Sequence, residues 1–215
     1  MAMTVIVTIV AAYLIGSINF AVIFAKAFTK KDVRELGSGN AGATNVLRSA
    51  GLLPGILTFV FDAFKGFVAS YMGKIIFDYM FAQTGAELSK GIIGAYICGV
   101  ACMLGHIFPF FFGFKGGKGV AISVGIFAVC CPIAIIIGLC VFAAVTFISK
   151  YVSLGSVLAT ITVVVLSIFF TDKTALALPQ IAAILIMGFI VIIKHKDNIK
   201  RLLAGSESKI KIGRK

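Results

Sequence analysis

Apolar runs separated by short polar segments set the pattern of the chain. Five of these runs predict single membrane-spanning helices, because each is rich enough in apolar residues to enter a hydrocarbon core about 30 Å thick; they lie at about 3–25, 52–72, 91–112, 157–170 and 180–193. No Lys or Arg precedes the first run, so the charged region that starts a cleavable signal peptide is missing. We expect this first helix to be retained.

A sixth run, residues 120–149, is longer than a single span needs. It contains no charged residue and would measure about 45 Å as one straight helix at 1.5 Å per residue. Pro132 lies near its middle, where proline removes a backbone donor and disturbs the preceding turn. The pattern therefore allows either one long helix or two short helices joined by a tight turn.

The distribution of positive charge favours two helices in this run. With seven spans, the side of the membrane that holds the first loop carries most of the Lys and Arg residues, and the opposite side carries only Lys74, Lys90 and Lys173. A single middle helix would move the basic tail to that opposite side, against the positive-inside rule. We therefore predict seven transmembrane helices, with the N-terminus outside and the C-terminus in the cytoplasm.

Composition supports this class. Of the 215 residues, 60% are hydrophobic and only 13% are charged, which is typical of an all-α polytopic membrane protein, and the length allows one domain over 1–215. The net charge of +12 could indicate nucleic acid, but the positive-inside bias already explains it, so we expect no nucleic-acid partner. The cysteines lie in apolar runs without zinc-like spacing to histidine, so we expect no metal, disulfide framework or cofactor.

The polar segment that follows the first run, residues 37–48, reads GSGNAGATNVLR. Its glycines let the backbone bend close to a ligand, its Ser, Asn and Thr side chains offer neutral donors, and Arg48 offers a planar charged fork. This combination favours a site for a phosphate-like oxyanion over a flexible connector. The formal match to the dinucleotide-binding glycine pattern is accidental, because no βαβ unit surrounds it.

Seven spans would bring four polar segments to one membrane face: residues 37–48, 113–119 and 150–156 and the start of the tail at His195. Few carboxylates accompany them, so the shared surface favours anions, and phosphates in particular. The groups that it offers are the cations Arg48, Lys115, Lys118 and Lys150, the hydroxyls of Ser38, Ser153 and Ser156, the amides of Asn40, Asn45 and Asn198, and the imidazoles of His106 and His195.

Asp62 and Lys65 lie three residues apart within a span, so they share one face of a helix. The pattern fits a functional pair and a self-neutralising structural pair equally well.

Other motifs narrow the chemistry by their absence. Residues 113–119 resemble a phosphate loop in composition, but no Ser or Thr follows Lys118, so we do not expect ATP binding. The sequence has no HExxH motif and suggests no Ser-His-Asp arrangement, and neither histidine is followed five residues later by Asp. Any acyl transfer here would therefore need a donor that is already activated.

Four segments carry a resemblance to a known family. They read GSGNAGATNVLR (37–48), GHIFPFFFGFKGGKGVA (105–121), KYVSLGS (150–156) and HKDNIKRLLAGSE (195–207). In this order they resemble the bacterial acyl-phosphate:glycerol-3-phosphate acyltransferases known as PlsY, and the resemblance covers essentially the whole chain. It implies a seven-helix enzyme of the bacterial inner membrane with its active site facing the cytoplasm.

The reaction that this resemblance implies transfers a fatty acyl group from acyl phosphate to the 1-hydroxyl of glycerol 3-phosphate. The products are lysophosphatidic acid and phosphate, and the step is the first acylation of phospholipid synthesis. Besides these two substrates, we expect the lipid bilayer as a partner and a monomeric enzyme. With no obvious protein base, a phosphate oxygen of a substrate is one candidate for taking the hydroxyl proton, and His195 is the other.

The resemblance also implies roles for individual residues. Ser38, the nearby loop backbone and Ser153 would hold the phosphate of the donor, and Lys118 would bridge the two phosphates. Arg48, His195 and Asn198 would hold glycerol 3-phosphate. We predict as catalytic Ser38, Lys118, Ser153, His195 and Asn198, and as substrate-binding Gly39, Asn40, Gly42, Thr44, Asn45, Arg48, His106, Lys115, Gly116, Gly117 and Ser156.

A transporter or channel for an anionic solute is the competing class. Transporters place polar groups near the bilayer midplane on broken helices, often with inverted repeats. Here the polar segments collect at one face and no internal repeat is found, although Asp62 and Lys65 give this reading some support. A non-catalytic lipid-binding membrane protein is a weaker alternative.

Overall fold

The structure is a computed structural model that describes residues 1–172, 174 and 176–210. Over these residues the chain forms helices and short turns without a strand, so the all-α prediction is confirmed. The predicted topology determinants Lys173, Lys211, Arg214 and Lys215 lie outside the described residues.

In the part of the chain that the structure describes, ten α-helices are joined mostly by short connections. They are α1 (Ala2–Gly16), α2 (Phe20–Thr29), α3 (Ala43–Ala50), α4 (Leu52–Thr84), α5 (Gly91–Ile107), α6 (Val120–Cys130), α7 (Pro132–Ser149), α8 (Val152–Phe170), α9 (Ala177–Lys194) and α10 (Lys196–Leu203). Among the described residues, three single turns of 3-10 helix occur at Val33–Glu35, Glu87–Ser89 and Phe110–Phe112. By length and composition, six stretches of the described chain can cross a membrane: Ala2–Thr29, Leu52–Thr84, Gly91–Phe112, Pro132–Ser149, Val152–Phe170 and Ala177–Lys194.

The long middle run is two helices, as predicted, with the break at Cys131 before Pro132. Val120 at the start of α6 and Phe142 in the second half of α7 line the same cavity. Helix α6 therefore runs away from the cavity, and α7 runs back toward it after the break at Cys131. Helix α6 has only 11 residues, about 16 Å at 1.5 Å per residue, and is shorter than a full span. The seven-span count and the orientation of the termini stay predictions.

The first run is not the single helix that its apolar pattern predicts. It breaks at residues 17–19, where Asn19 caps α2 by accepting a hydrogen bond from the amide of Val22 at 3.2 Å. Asparagine competes with the helix for backbone hydrogen bonds and therefore favours such a start.

Three predicted connections are also wrong in part. Helix α4 continues through the polar interval after residue 72 to Thr84, and within this extension Lys74 and Asp78 pair at 2.7 Å one helical turn apart. Helix α3 forms the second half of the 37–48 segment, and α8 already begins at Val152.

Small residues let the central helices pack closely. A side chain on Gly125 of α6 would clash with the backbone carbonyl of Ala63 in α4, and one on Gly105 of α5 would clash with that of Tyr13 in α1. Small residues at such crossings are typical of helix association in membranes, where van der Waals packing replaces the hydrophobic effect. The buried core of α5, α6 and α9 contains Met103, Ile107, Ile122, Ile126, Ile184 and Met187.

We expect Gly125→Val to destabilise the protein, because the new side chain meets the backbone of α4 rather than a movable side chain. Overpacking of this kind costs about 1–3 kcal/mol. The thermal unfolding midpoint in detergent would measure the loss. Ala128→Val is the matched control on α6, since Ala128 is exposed. Equal midpoints for the two variants would contradict the close α4–α6 contact.

Candidate active site

One large polar cavity collects residues from all four polar segments. It measures about 2020 Å³ when counted out to its open mouth. The predicted site residues that line it are Ser38, Asn40, Gly42, Thr44, Asn45, Arg48, His106, Lys118, Ser153, Ser156, His195 and Asn198. The structure places Gly39, Lys115, Gly116 and Gly117 outside the lining, with Lys115 exposed.

The amide of Asn45 organises the first loop. Its Nδ2 donates to the carbonyls of Val33, Leu36 and Asn40 at 2.9–3.0 Å, and its Oδ1 accepts from the backbone amide of Ser38 at 3.0 Å. Both ends of this side chain are therefore engaged within the loop. Asn45 shapes the loop around the cavity rather than offering a free donor to a ligand.

The N-terminus of α3 faces the cavity. Gly42 is the N-cap residue and has no capping side chain, and Gly42, Ala43 and Thr44 all line the cavity. The first amides of a helix have no intrahelical acceptor, and the helix dipole adds partial positive charge there. This end of α3 is therefore suited to an anion such as a phosphate.

A salt bridge fixes the start of the same loop. The guanidinium of Arg34 contacts the carboxylate of Asp32 at 2.8 Å and donates to the carbonyl of Phe112 at 2.7 Å. This hydrogen bond links the first loop, residues 30–42, to the second loop, residues 108–119. The hydrogen bond from Arg34 lowers the pKa of Asp32 to about 2, so this carboxylate is charged at neutral pH.

The second loop presents Lys118 to the cavity. The ammonium of Lys118 donates to Oδ1 of Asn198, which joins this loop to α10. Burial lowers the pKa of Lys118, and the positive charge of Arg201 lowers it further. Lys118 and Arg48 form no ion pair with the carboxylates of the described residues, so both cations are available to a ligand.

His195 lies between α9 and α10 and is buried. Its Nδ1 is 2.8 Å from the carbonyl oxygen of Val191, and because a carbonyl only accepts, Nδ1 carries the hydrogen. Burial lowers the pKa of His195 overall, although the Val191 hydrogen bond alone would raise it, so the ring is neutral near pH 7. The unprotonated Nε2 is left as an acceptor.

The residues after α10 cross the cavity and tie its parts together. The carboxylate of Glu207 accepts hydrogen bonds from Ser153 at 2.8 Å, Asn198 at 2.7 Å and Arg201 at 2.7 Å. Burial alone would raise the pKa of Glu207, but these three hydrogen bonds lower it overall, so the carboxylate stays ionised. Arg48 also donates to the carbonyl of Ser208 at 3.0 Å.

Glu207 and Arg201 line the cavity but are not among the residues predicted from the sequence. Arg201 lies three residues after Asn198, so helical spacing could have indicated that they share a face. Glu207 belongs to an irregular segment, where no periodicity indicates the direction of a side chain.

An apolar groove opens beside the polar cavity, between α6, α7, α8 and α9. Phe59, Val120, Phe142 and Ser156 line both spaces, so the groove adjoins the cavity. Its deeper part is lined by Phe127, Ile135, Gly138, Val163 and Met187.

Comparisons with known proteins agree on one family. The family model described as glycerol-3-phosphate acyltransferase matches residues 6–205. The glycerol-3-phosphate acyltransferase 2 of Bacillus anthracis is 41% identical over 205 residues, which are 95% of this chain and 98% of that protein. The glycerol-3-phosphate acyltransferase of Thermoanaerobacter pseudethanolicus is 42% identical over 95% of both chains.

Solved structures show the same fold. The crystal structure of PlsY (YgiH), an integral membrane glycerol 3-phosphate acyltransferase, in its glycerol 3-phosphate form matches with a TM-score of 0.82 and 33% identity, over 97% of this chain and 96% of that one. Its lysophosphatidic acid form matches with a TM-score of 0.80. The chain therefore belongs to the glycerol-3-phosphate acyltransferase family and shares the integral membrane fold of PlsY.

Proposed function

We propose that this enzyme transfers a fatty acyl group from acyl phosphate to the 1-hydroxyl of glycerol 3-phosphate, giving lysophosphatidic acid and phosphate. This reaction would be the first acylation of bacterial phospholipid synthesis. The observation that carries the proposal is a cationic, amide-lined cavity that shares a wall with an apolar groove between membrane helices. One substrate of this reaction is wholly polar and the other carries a long apolar chain. The polar cavity suits the phosphate groups of both substrates, and the apolar groove suits the acyl chain.

The polar cavity has separate groups for two phosphates. Ser38, Ser153 and the first amides of α3 would hold the phosphate of the donor, and Arg48 would hold that of glycerol 3-phosphate. Lys118 would bridge the two phosphates. Arginine suits this task because its planar fork binds two phosphate oxygens at once.

The apolar groove would hold the acyl chain. The part of α6 that lines it runs from Val120 to Phe127, and these two residues are about 10 Å apart along the helix axis at 1.5 Å per residue. With the acyl chain in this groove, the acyl carbonyl would lie near Ser156 and Val120, which line both the groove and the polar cavity. Predominantly apolar walls with a few polar groups at one end are typical of small-molecule sites.

The chemistry would need little more than positioning and charge stabilisation. Acyl phosphate is a mixed anhydride, so its carbonyl is already activated. The 1-hydroxyl oxygen attacks that carbon, the bond from carbon to the phosphate oxygen breaks, and the hydroxyl proton finally resides on the released phosphate. Nε2 of His195 would accept the hydrogen bond of the hydroxyl and orient it.

The cavity would face the cytoplasm of a bacterium, in the inner membrane, with a monomer as the working unit. Lysines near its rim lie over aromatic rings, as Lys150 does over Phe147 at 4.4 Å and Lys194 over Phe108 at 4.5 Å. Positive charge and aromatic rings are typical of the cytoplasmic membrane interface.

An assay of the purified protein in detergent tests the reaction and its donor. With glycerol 3-phosphate present, we expect lysophosphatidic acid from acyl phosphate and none from acyl-CoA or acyl carrier protein, because neither thioester carries a phosphate on its acyl carbonyl for the cavity to hold. Product from either thioester alone would contradict the proposed donor. Product without a sealed compartment also separates an enzyme from a transporter.

Arg48→Ala should raise the KM for glycerol 3-phosphate about tenfold or more, since hydrogen bonds to charged groups contribute about 1.5–3 kcal/mol. Arg48→Lys should recover only part of this loss, because lysine keeps the charge and lacks the fork. Lys31→Ala is the control for net charge, since Lys31 is exposed and outside the cavity. Initial-rate kinetics measure the effect, and an unchanged KM would remove Arg48 from the site.

The pH profile of kcat tests His195. The neutral ring is the accepting form and its pKa lies below the usual 6.5, so kcat should fall as the pH drops through that lowered pKa and stay level above it. His195→Ala should lose this acid limb along with most of the activity. If the limb persists unchanged in the variant, the titrating group is a substrate phosphate, whose second pKa is about 6.

A further inference from the structure

Three ionisable side chains lie together beneath the polar cavity. Asp62 and Lys65 of α4 and His106 of α5 are exposed by only 1%, 3% and 5%. Asp62 and His106 reach the cavity wall, whereas Lys65 does not. Ionisable groups at such positions in membrane helices are costly and are commonly functional.

Lys65 connects Asp62 to the break in the first span. Its ammonium lies 2.8 Å from Oδ1 of Asp62 and donates to the backbone carbonyl of Ile18 at 2.6 Å. Ile18 lies between α1 and α2, where the interrupted helix leaves carbonyls without their usual partners. Lys65 therefore fixes the position of Asp62 on α4 relative to the first span.

His106 lies between this pair and the second loop. Its Nδ1 is 3.6 Å from Oδ1 of Asp62. On the other side of the ring, Nε2 faces Gly117 so closely that a Cβ on Gly117 would clash with it. The imidazole therefore fills the space between the carboxylate and the backbone of the loop.

The loop is attached to the end of α5 at this same point. The amides of Gly116 and Gly117 donate to the carbonyls of Ile107 and His106, both at 3.2 Å. Lys118 follows Gly117 directly. Any shift of the His106 ring therefore moves the backbone that determines where the Lys118 ammonium lies.

We propose that Asp62 and Lys65 are positioning residues for acyl transfer, which act through His106 to hold the second loop and Lys118 in register with the cavity. We call these three residues the pedestal. The proposal rests on the function proposed above and goes beyond it, because it assigns a positioning role to residues within the membrane helices. A pair kept only for stability has little reason to remain charged, since apolar replacements of a buried ion pair are often as stable or more so.

The main experiment removes both charges at once. The double variant Asp62→Leu/Lys65→Met leaves no unpaired ion but removes the donor to the carbonyl of Ile18, so we expect only a modest fall of its unfolding midpoint in detergent. Its kcat should nevertheless fall about tenfold or more, and its Kd for inorganic phosphate should rise by a similar factor. Ser70→Ala is the control: Ser70 is buried on the same helix, two turns away, and has no hydrogen-bond partner among the described residues. Ser70→Ala should change neither kcat nor the Kd for inorganic phosphate.

A mutant cycle tests whether the pair acts through His106. His106→Ala should lower kcat by a factor similar to that of the double variant, and the triple variant should lose no more than His106→Ala alone. Wild-type kcat in a stable double variant would overturn the proposal. Losses that multiply in the triple variant would also overturn it, because the pair would then act independently of His106.

A second comparison keeps the test decisive if the double variant does not fold. Gln at position 106 can place its terminal amide near the position of Nε2, so His106→Gln should retain most of the activity that His106→Ala loses. Equal activity of the two variants would overturn the pedestal. If the wild type does not turn over acyl phosphate, the proposed function fails, and the phosphate Kd values of the same variants still decide the pedestal.

Discussion

A membrane interior cannot solvate a charge or a free backbone group, and this constraint shapes the molecule. The break in the first span leaves a carbonyl at Ile18, and the ammonium of Lys65 satisfies it while also pairing with Asp62. At the cavity, the carboxylate of Glu207 is satisfied by three donors. In both places a polar group on an irregular segment finds its partners on neighbouring helices.

The same constraint explains how the site is divided. Donors for anions gather at the helix ends, where amides are free, and the helices between them pack through small residues such as Gly125. Because the middle run folds back at Cys131, α6 and α7 bring apolar walls to the edge of the polar cavity from opposite directions. A ligand with a phosphate head and an apolar tail can therefore lie across the boundary without leaving either part in the wrong medium.

Several residues that were predicted to bind substrate instead shape or anchor the loops around the cavity. Asn45 has the right groups to bind a phosphate, yet both ends of its amide are used to shape the loop. Gly116 and Gly117 lie outside the cavity lining and instead let the loop dock against the end of α5. Glycine is needed at this point because the carbonyl of His106 and its ring occupy the space that a side chain would take.

For the middle run, Pro132 allowed a break and the distribution of positive charge favoured two helices. The sequence by itself determined the class of the protein and the family, because apolar runs and ordered motifs are local properties of the chain. It also indicated which polar segments share a face, since charge bias constrains topology. Only the tertiary structure decided that Glu207 and Arg201 complete the cavity, that Asp62 stands beneath His106, and that the first span is broken. These features depend on contacts between residues far apart in sequence, and no periodicity or motif records which side chains will meet once the helices pack.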